Sequence, residues 1–285
     1  MIDTDCRTYR AKRKHEQIGA TWLPKLGRCS LDIVAYVNLD VMKLLSLNTW
    51  GGQLGKEFDD FIKEQSKNID IFCFQEVFHK AYNVRPQLGV VRPDLFEELE
   101  ILLPEHVGHY APSQDDDEGL AIFISKKIKV DKTGDIFVYR WFNAMVGDDG
   151  PTIGRNVQYV EYKDKGKTYT VSNFHGLWNG GPKTDTPERI GQAKKVKDFL
   201  DTAEGFKILC GDFNLIPDTE SVSIIGKGMR NLINDYKITS TRSHHYSKEE
   251  KFADYIIVSP ELKVIDFKVL KDSISDHLPL LLEFE

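Results

Sequence analysis

The chain is 285 residues long, 41% hydrophobic and 11% aromatic, enough to bury one large core or two smaller ones. Its 38 lysines and arginines against 44 aspartates and glutamates leave a net charge of -6, which argues against a protein that wraps duplex nucleic acid with a basic surface and leaves room only for a local patch. No 18-residue apolar run is present, and the basic opening (Arg7, Arg10, Lys12, Arg13, Lys14) is not followed by an apolar core of signal-peptide type, so neither a membrane span nor secretion is expected. Of the four cysteines, at 6, 29, 73 and 210, the last two lie in apolar strand-like runs rather than at the spacings of a disulfide frame. Reduced, buried thiols and a cytoplasmic location are the expectation.

Residues 1–41 lack an amphipathic period and are expected to be peripheral or disordered, with Met42 opening a single domain over 42–285. From there, strand signals alternate with a few helices. Residues 43–48 form an apolar strand that stops at Asn48, and Phe58, Phe61 and Ile62 mark one helix face. A strand over 69–75 delivers Glu76 at its end, and Pro93 opens a helix carrying Leu95, Leu99 and Leu102. Strands follow over 119–125, 127–139, 156–162 and 169–174, the last two joined as a hairpin through KDKGK. Thr186 caps and Pro187 opens a helix with Ile190, Ala193, Val196 and Leu200 inward.

The next strand, in KILCGDFNL (207–215), ends by presenting Asp212 and Asn214 two residues apart, on one side of an extended backbone by period-2 geometry. One is an acid that can take a proton; the other is an amide that can donate to an oxyanion without titrating. A short helix, a polar loop over 240–251, and strands over 255–258, 262–270 and 278–284 complete the chain. Some ten strands with few helices between them suggest one α/β domain with largely antiparallel sheets.

Polar groups collect at strand ends: Asn48, Glu76, Asp212 with Asn214, and Asp276 with His277, joined by His175 after VSNF and Asp254 in FADYIIV. Each alone has a plain alternative as a turn former, surface acid, satisfied histidine or edge charge. Together they point to a site, because strand ends on one side of a sandwich converge and like charges gathered there need a compensating cation. Oxygen ligands without a cysteine or histidine cluster suit magnesium or manganese, and such a cation beside two histidines is chemistry for phosphate.

LNTWGG, FQEVF, GRN, NFHG, CGDFN, ADYIIV and SDHLPL, in that order, resemble the endonuclease/exonuclease/phosphatase superfamily (deoxyribonuclease I-like), as a bacterial-type member, over 42–285. The resemblance implies an α/β (α+β) four-layer sandwich, two mostly antiparallel sheets face to face and flanked by helices, with a metal site at one rim. It implies Glu76 as the main metal ligand, supported by Asn48 and Asp276, and Asp212 as the residue that orients and deprotonates water. Asn214 would bind the scissile phosphate, and His277, oriented by Asp254, would contact it. His175 would contact it from the other flank, with Glu118 as its carboxylate partner. Arg155 is either a phosphate clamp or a solvated strand-end charge.

Within such a fold the loops choose the substrate, here 78–93, 141–154 and 177–185. The last two mix aromatics with glycine, suited to stack a base or line a pocket for a small head group, and Trp178 is a substrate-binding candidate. Asp115, Asp116, Asp117, Asp148 and Asp149 would repel a polyphosphate backbone if they border the cleft, while Lys194, Lys195 and Lys197 read as an outer helix face. The leading expectation is a soluble magnesium-dependent phosphodiesterase, nuclease-like, with nucleic acid among the candidate substrates. A phosphatase of a small phosphorylated metabolite or lipid head group is the alternative, and a non-catalytic scaffold of the same fold the third. No obligate protein partner is evident.

Overall fold

The computed structural model describes residues 41–83, 90–115, 117–144 and 153–285. The expectation for 1–41 lies outside these residues, Val41 excepted, as do Asp116, Asp148, Asp149 and parts of the loops at 78–93 and 141–154. Twelve strands are described: β1 (Met42–Asn48), β2 (Ile71–Phe78), β3 (His106–Pro112), β4 (Glu118–Ser125), β5 (Val130–Tyr139), β6 (Arg155–Asp164), β7 (Lys167–His175), β8 (Phe206–Asp212), β9 (Arg230–Asn231), β10 (Asp254–Val258), β11 (Val264–Val269) and β12 (Leu280–Phe284). Five helices accompany them: α1 (Lys56–Gln65), α2 (Leu95–Leu102), α3 (Pro187–Thr202), α4 (Glu220–Ile225) and α5 (Leu232–Asp235).

Two six-stranded sheets result, ordered β11-β12-β1-β2-β4-β3 and β5-β6-β7-β8-β10-β9. Each is antiparallel apart from one parallel pair at its centre, β1 with β2 and β7 with β8. A parallel pair needs a crossover, which α1 and α3 supply. On the first sheet the alternation is clean. Leu44, Ile71, Cys73 and Ile122 join the core shared with the second sheet, whereas Leu45, Phe72, Phe74 and Phe123 pack with Phe58 and Ile62 of α1 and Leu95 and Leu99 of α2. Ala193 and Val196 of α3 and Val222 of α4 join the core on the side of the second sheet, giving the α/β sandwich.

Local signals fall where the sequence places them. Thr186 accepts from Arg189 N ahead of Pro187 at the start of α3, and β6 and β7 turn through Lys165 and Gly166, both at positive φ (48° and 80°) as a two-residue type I′ hairpin needs. Two strands are absent from the sequence pattern: the two-residue β9, which pairs with β10, and the edge strand β3, HVGHYAP, which has no apolar alternation and is made a strand by pairing with β4. Among the described residues, no helix is long and apolar enough to cross a membrane, and Cys73 and Cys210 are buried free thiols.

Candidate active site

The carboxyl ends of both parallel pairs open at the same rim of the sandwich. β1 and β2 deliver Asn48 and Glu76 there; β7 and β8 deliver His175 and Asp212, whose backbones stand in register with each other and with Asp254 of β10. Asp276 and His277 follow from the turn before β12, and Glu118 and Arg155 from the starts of β4 and β6.

Two backbone distortions aim these groups. Strict alternation would send Glu76 outward with Phe72 and Phe74. Instead the β2–β4 register shifts between Phe74 and Val77, and Glu76 adopts a left-handed φ of 54°, so that Gln75 and Glu76 both turn toward the second sheet. Glu76 therefore lies within its strand, on a bulge, and not at a strand terminus. On the other side, Gly211 sits at φ 135°, and a Cβ there would lie 2.0 Å from Phe174 O; the glycine of CGDFN lets β8 pass β7 closely just before Asp212. Asn214 is likewise not part of an extended run. At φ 56° it turns back, and its N–H donates to Asp212 Oδ1 at 2.7 Å, so a turn rather than strand periodicity keeps the two together.

Asn48 joins the halves: its Nδ2 donates to Glu76 Oε1 (2.8 Å) and to Asp212 Oδ2 (3.2 Å), while its Oδ1 accepts from Trp50 N. His277 Nδ1 donates to Asp254 (2.8 and 2.9 Å to its two oxygens), and Thr241 Oγ1 holds that carboxylate from behind at 2.8 Å. The other ring nitrogen of His277 lies 3.5 Å from Asp212 Oδ2. His175 Nε2 approaches the same oxygen at 3.7 Å, and its Nδ1 faces Glu118 (3.4 Å) and Arg155 (3.3 Å), which themselves pair. Arg155 is buried, not solvated.

Charge is unevenly settled in this cluster. Burial alone would raise Asp212, but His277, Lys183, His175 and Arg242 together hold it well below the usual carboxylate range. Glu76 goes the other way, pushed up to about 8 by burial and then by the Glu118 and Asp276 carboxylates. His175 is pushed down to about 4 by burial and Arg155, against the pull of Glu118. For His277, burial works against the charged ring, yet Asp254, with Asp276 and Asp212, raises it above the ordinary imidazole value. The two histidines are thus pushed apart, His175 toward the neutral ring and His277 toward the charged one.

The donor set fits a divalent cation. Glu76, Glu118 and His175 bring one ligand atom each within 4.8 Å of one another, as do Asp212, Asp254 and His277, and a carboxyl whose proton is retained by neighbouring negative charge is a ready cation ligand. Asp276, expected beside Glu76, accepts from Arg242 at 3.1 Å, though it lies close enough to raise Glu76.

Two buried cations were not singled out from sequence. Arg242, in the polar loop before β10, bridges backbone to backbone with His277, and its Nη1 lies against His277 Nε2 and donates to Asp276. Lys183, in the loop after β7, donates to Asn214 Oδ1. Neither belongs to a regular element, and each sits in a polar run whose solvated reading is the natural one. These groups line a cavity of about 660 Å³ with Trp50, Phe78, Trp178 and Tyr246 among its walls. Trp141 does not line it, nor do Asp115 and Asp117, the latter buried and holding Glu118 N.

A family model described as Endonuclease/Exonuclease/phosphatase family matches residues 45–277. The chain belongs to this family. Solved members of similar fold include a family protein from Bacteroides thetaiotaomicron (20% identity, 86% of this chain and 95% of that one, TM-score 0.68) and a mannosyl-6-phosphatase from the same species (21%, 86% and 99%, 0.67). D. rerio TDP2 complexed with a single-strand DNA product is similar at 14% identity, 86% and 99% coverage and TM-score 0.65. No curated protein matches the chain. At such identities these structures establish the shared fold, and the chemistry is argued from the site.

Proposed function

We propose that the site hydrolyses phosphoesters by directed attack of water on phosphorus. The observation that carries this reading is the pairing of opposites around Asn48: an ionised Asp212 ringed by cationic groups, and a Glu76 whose charge waits on a cation. Glu76, with Asp276 and Asn48 beside it, would hold magnesium or manganese, which when bound supplies neutralisation of charge on the phosphate oxygens. Asp212 orients the attacking water and receives its proton as the new P–O bond forms, while the ester P–O bond breaks and the alcohol departs into the open cavity, taking a proton from solvent water. His277, fixed by Asp254, donates to a phosphate oxygen, and His175, neutral, donates from Nε2 because Arg155 occupies its Nδ1 side. Arg155 and Asn214 steady the group under attack, and Glu118 keeps Arg155 and His175 aligned.

Phosphodiester cleavage, with nucleic acid as one substrate, and phosphatase action on a small metabolite or head group both use this machinery. A bare scaffold would not need it, since each buried charge here costs stability. The test is magnesium-dependent hydrolysis of bis(p-nitrophenyl) phosphate, p-nitrophenyl phosphate, single- and double-stranded DNA, RNA and sphingomyelin by the wild type beside Asp212→Ala. Turnover that vanishes in the variant and on chelation supports the reading; turnover that survives in a folded Asp212→Ala protein overturns it.

A further inference from the structure

We propose that Lys183 and Arg242 form a clamp for the non-bridging oxygens of a terminal phosphate, making phosphomonoesters of ring-bearing small molecules the substrate class of this site. The inference rests on the hydrolytic reading above and narrows it.

Lys183 is 4% exposed and lies on the cavity wall, yet among the described residues no carboxylate lies within ion-pair distance of it. Its ammonium carries three N–H groups, of which Asn214 Oδ1 takes one. A buried lysine without an ion-pair partner is rare and costly. Its loop is built to keep it there. Arg189, buried in α3, donates to the carbonyls of Pro182 and Thr184 on either side of it; Lys183 O accepts from Ile216 N; and Asp185 anchors to the start of α4 through Glu220 N, Ser221 N and Ser221 Oγ. A solvated surface lysine has no use for such a mount.

Arg242 and Arg155 also line the cavity. Arg242 is further fixed with its guanidinium carbon 3.9 Å from the Tyr246 ring centroid. Three cations thus line one cavity from three separate segments. A phosphomonoester presents three terminal oxygens and a diester two, and a monoester carries one organic body where a diester carries two. The remaining walls suit one body: Trp50, Phe78 and Tyr246, and Trp178, 45% exposed, with Lys248 at 5.5 Å from its ring centroid joining the 177–185 loop to the 240–251 loop. A cavity of about 660 Å³ accommodates a sugar or mononucleotide.

The experiment compares kcat/KM for p-nitrophenyl phosphate and bis(p-nitrophenyl) phosphate in the wild type, Lys183→Met and Lys183→Arg, with melting temperatures measured with and without inorganic phosphate. The wild type is expected to prefer the monoester, and Lys183→Met to lose about 100-fold on it but under about tenfold on the diester, with Lys183→Arg recovering part of the loss. Because Lys183 also helps to hold Asp212 ionised and donates to Asn214, Lys183→Met is expected to melt lower than the wild type, and the selective loss on the monoester is what separates the clamp from a merely structural lysine, which would depress both esters alike. Equal losses on both esters, or a wild type that prefers the diester, would overturn the clamp. Phosphate separates this from the hydrolytic reading: it should raise the melting temperature of the wild type and of Asp212→Asn but not of Lys183→Met, whether or not either ester is turned over. A wild type whose melting temperature ignores phosphate also overturns it.

Discussion

Lowering the pH should loosen the hold on a divalent cation by displacing it with a proton on Glu76. In the metal-free site this carboxyl is held up to about 8, by burial and by Glu118 and Asp276, so below that pH a cation must expel a proton before Glu76 can ligate it. Apparent affinity then falls about tenfold for each pH unit below 8, roughly 100-fold or about 2.7 kcal/mol by pH 6. The folded, metal-free state also holds this proton more tightly than the unfolded chain does. Its contribution to stability is therefore present at acidic pH and is lost as pH rises through about 8, where bound metal should raise the melting temperature most. Titration calorimetry with manganese near pH 6, in buffers of different ionisation enthalpy, should show about one proton released per ion. Glu118→Gln removes the second cause of the shift and should carry the pH dependence to lower pH. Affinity that stays flat between about pH 6 and 8 with no proton release would refute the reasoning.

Asp254→Asn leaves an amide facing His277 Nδ1 and removes the charge that raises that ring; kcat should fall on the order of 100-fold and the ring's titration, followed by NMR, should move to lower pH. An unchanged titration would sink the pairing. Gly211→Ala places a Cβ 2.0 Å from Phe174 O at φ 135°, and should cost on the order of 3 kcal/mol, read as a lowered denaturation midpoint with loss of activity.

Much of this was legible in residue order. The apolar runs ending in Asn48, His175 and Asp212 are central strands, and the two crossover helices announce themselves by the Phe58, Phe61, Ile62 face and by Thr186-Pro187. Glu76 was placed at a strand end, because the bulge that turns it inward has no glycine or proline to mark it and was visible only through pairing with β4. Asn214 reaches its place by a turn that period-2 counting does not contain. Lys183 and Arg242 escaped notice because long-range contacts hold them: carbonyls bound by Arg189 in one case, a bridge to His277 in the other. A polar loop looks the same in sequence whether it is solvated or folded over a cleft.

One strand position beneath the rim, Gln75 Nε2 donates to Asn173 Oδ1 at 2.6 Å, and Asn173 Nδ2 donates to Phe74 O at 2.8 Å and to Ala121 O at 3.3 Å. Apolar faces tolerate sliding, since one methyl contact replaces another at little cost; a buried amide pair does not, because slipping by a residue strands its donors. Glu76 follows Gln75 on one sheet and His175 lies two residues beyond Asn173 on the other, so this pair works as an alignment pin between two sheets whose strands do not pair with each other. Mechanical play between the sheets, which would be harmless at the far end of the sandwich, is removed at the level where a few tenths of an ångström decide whether water meets phosphorus.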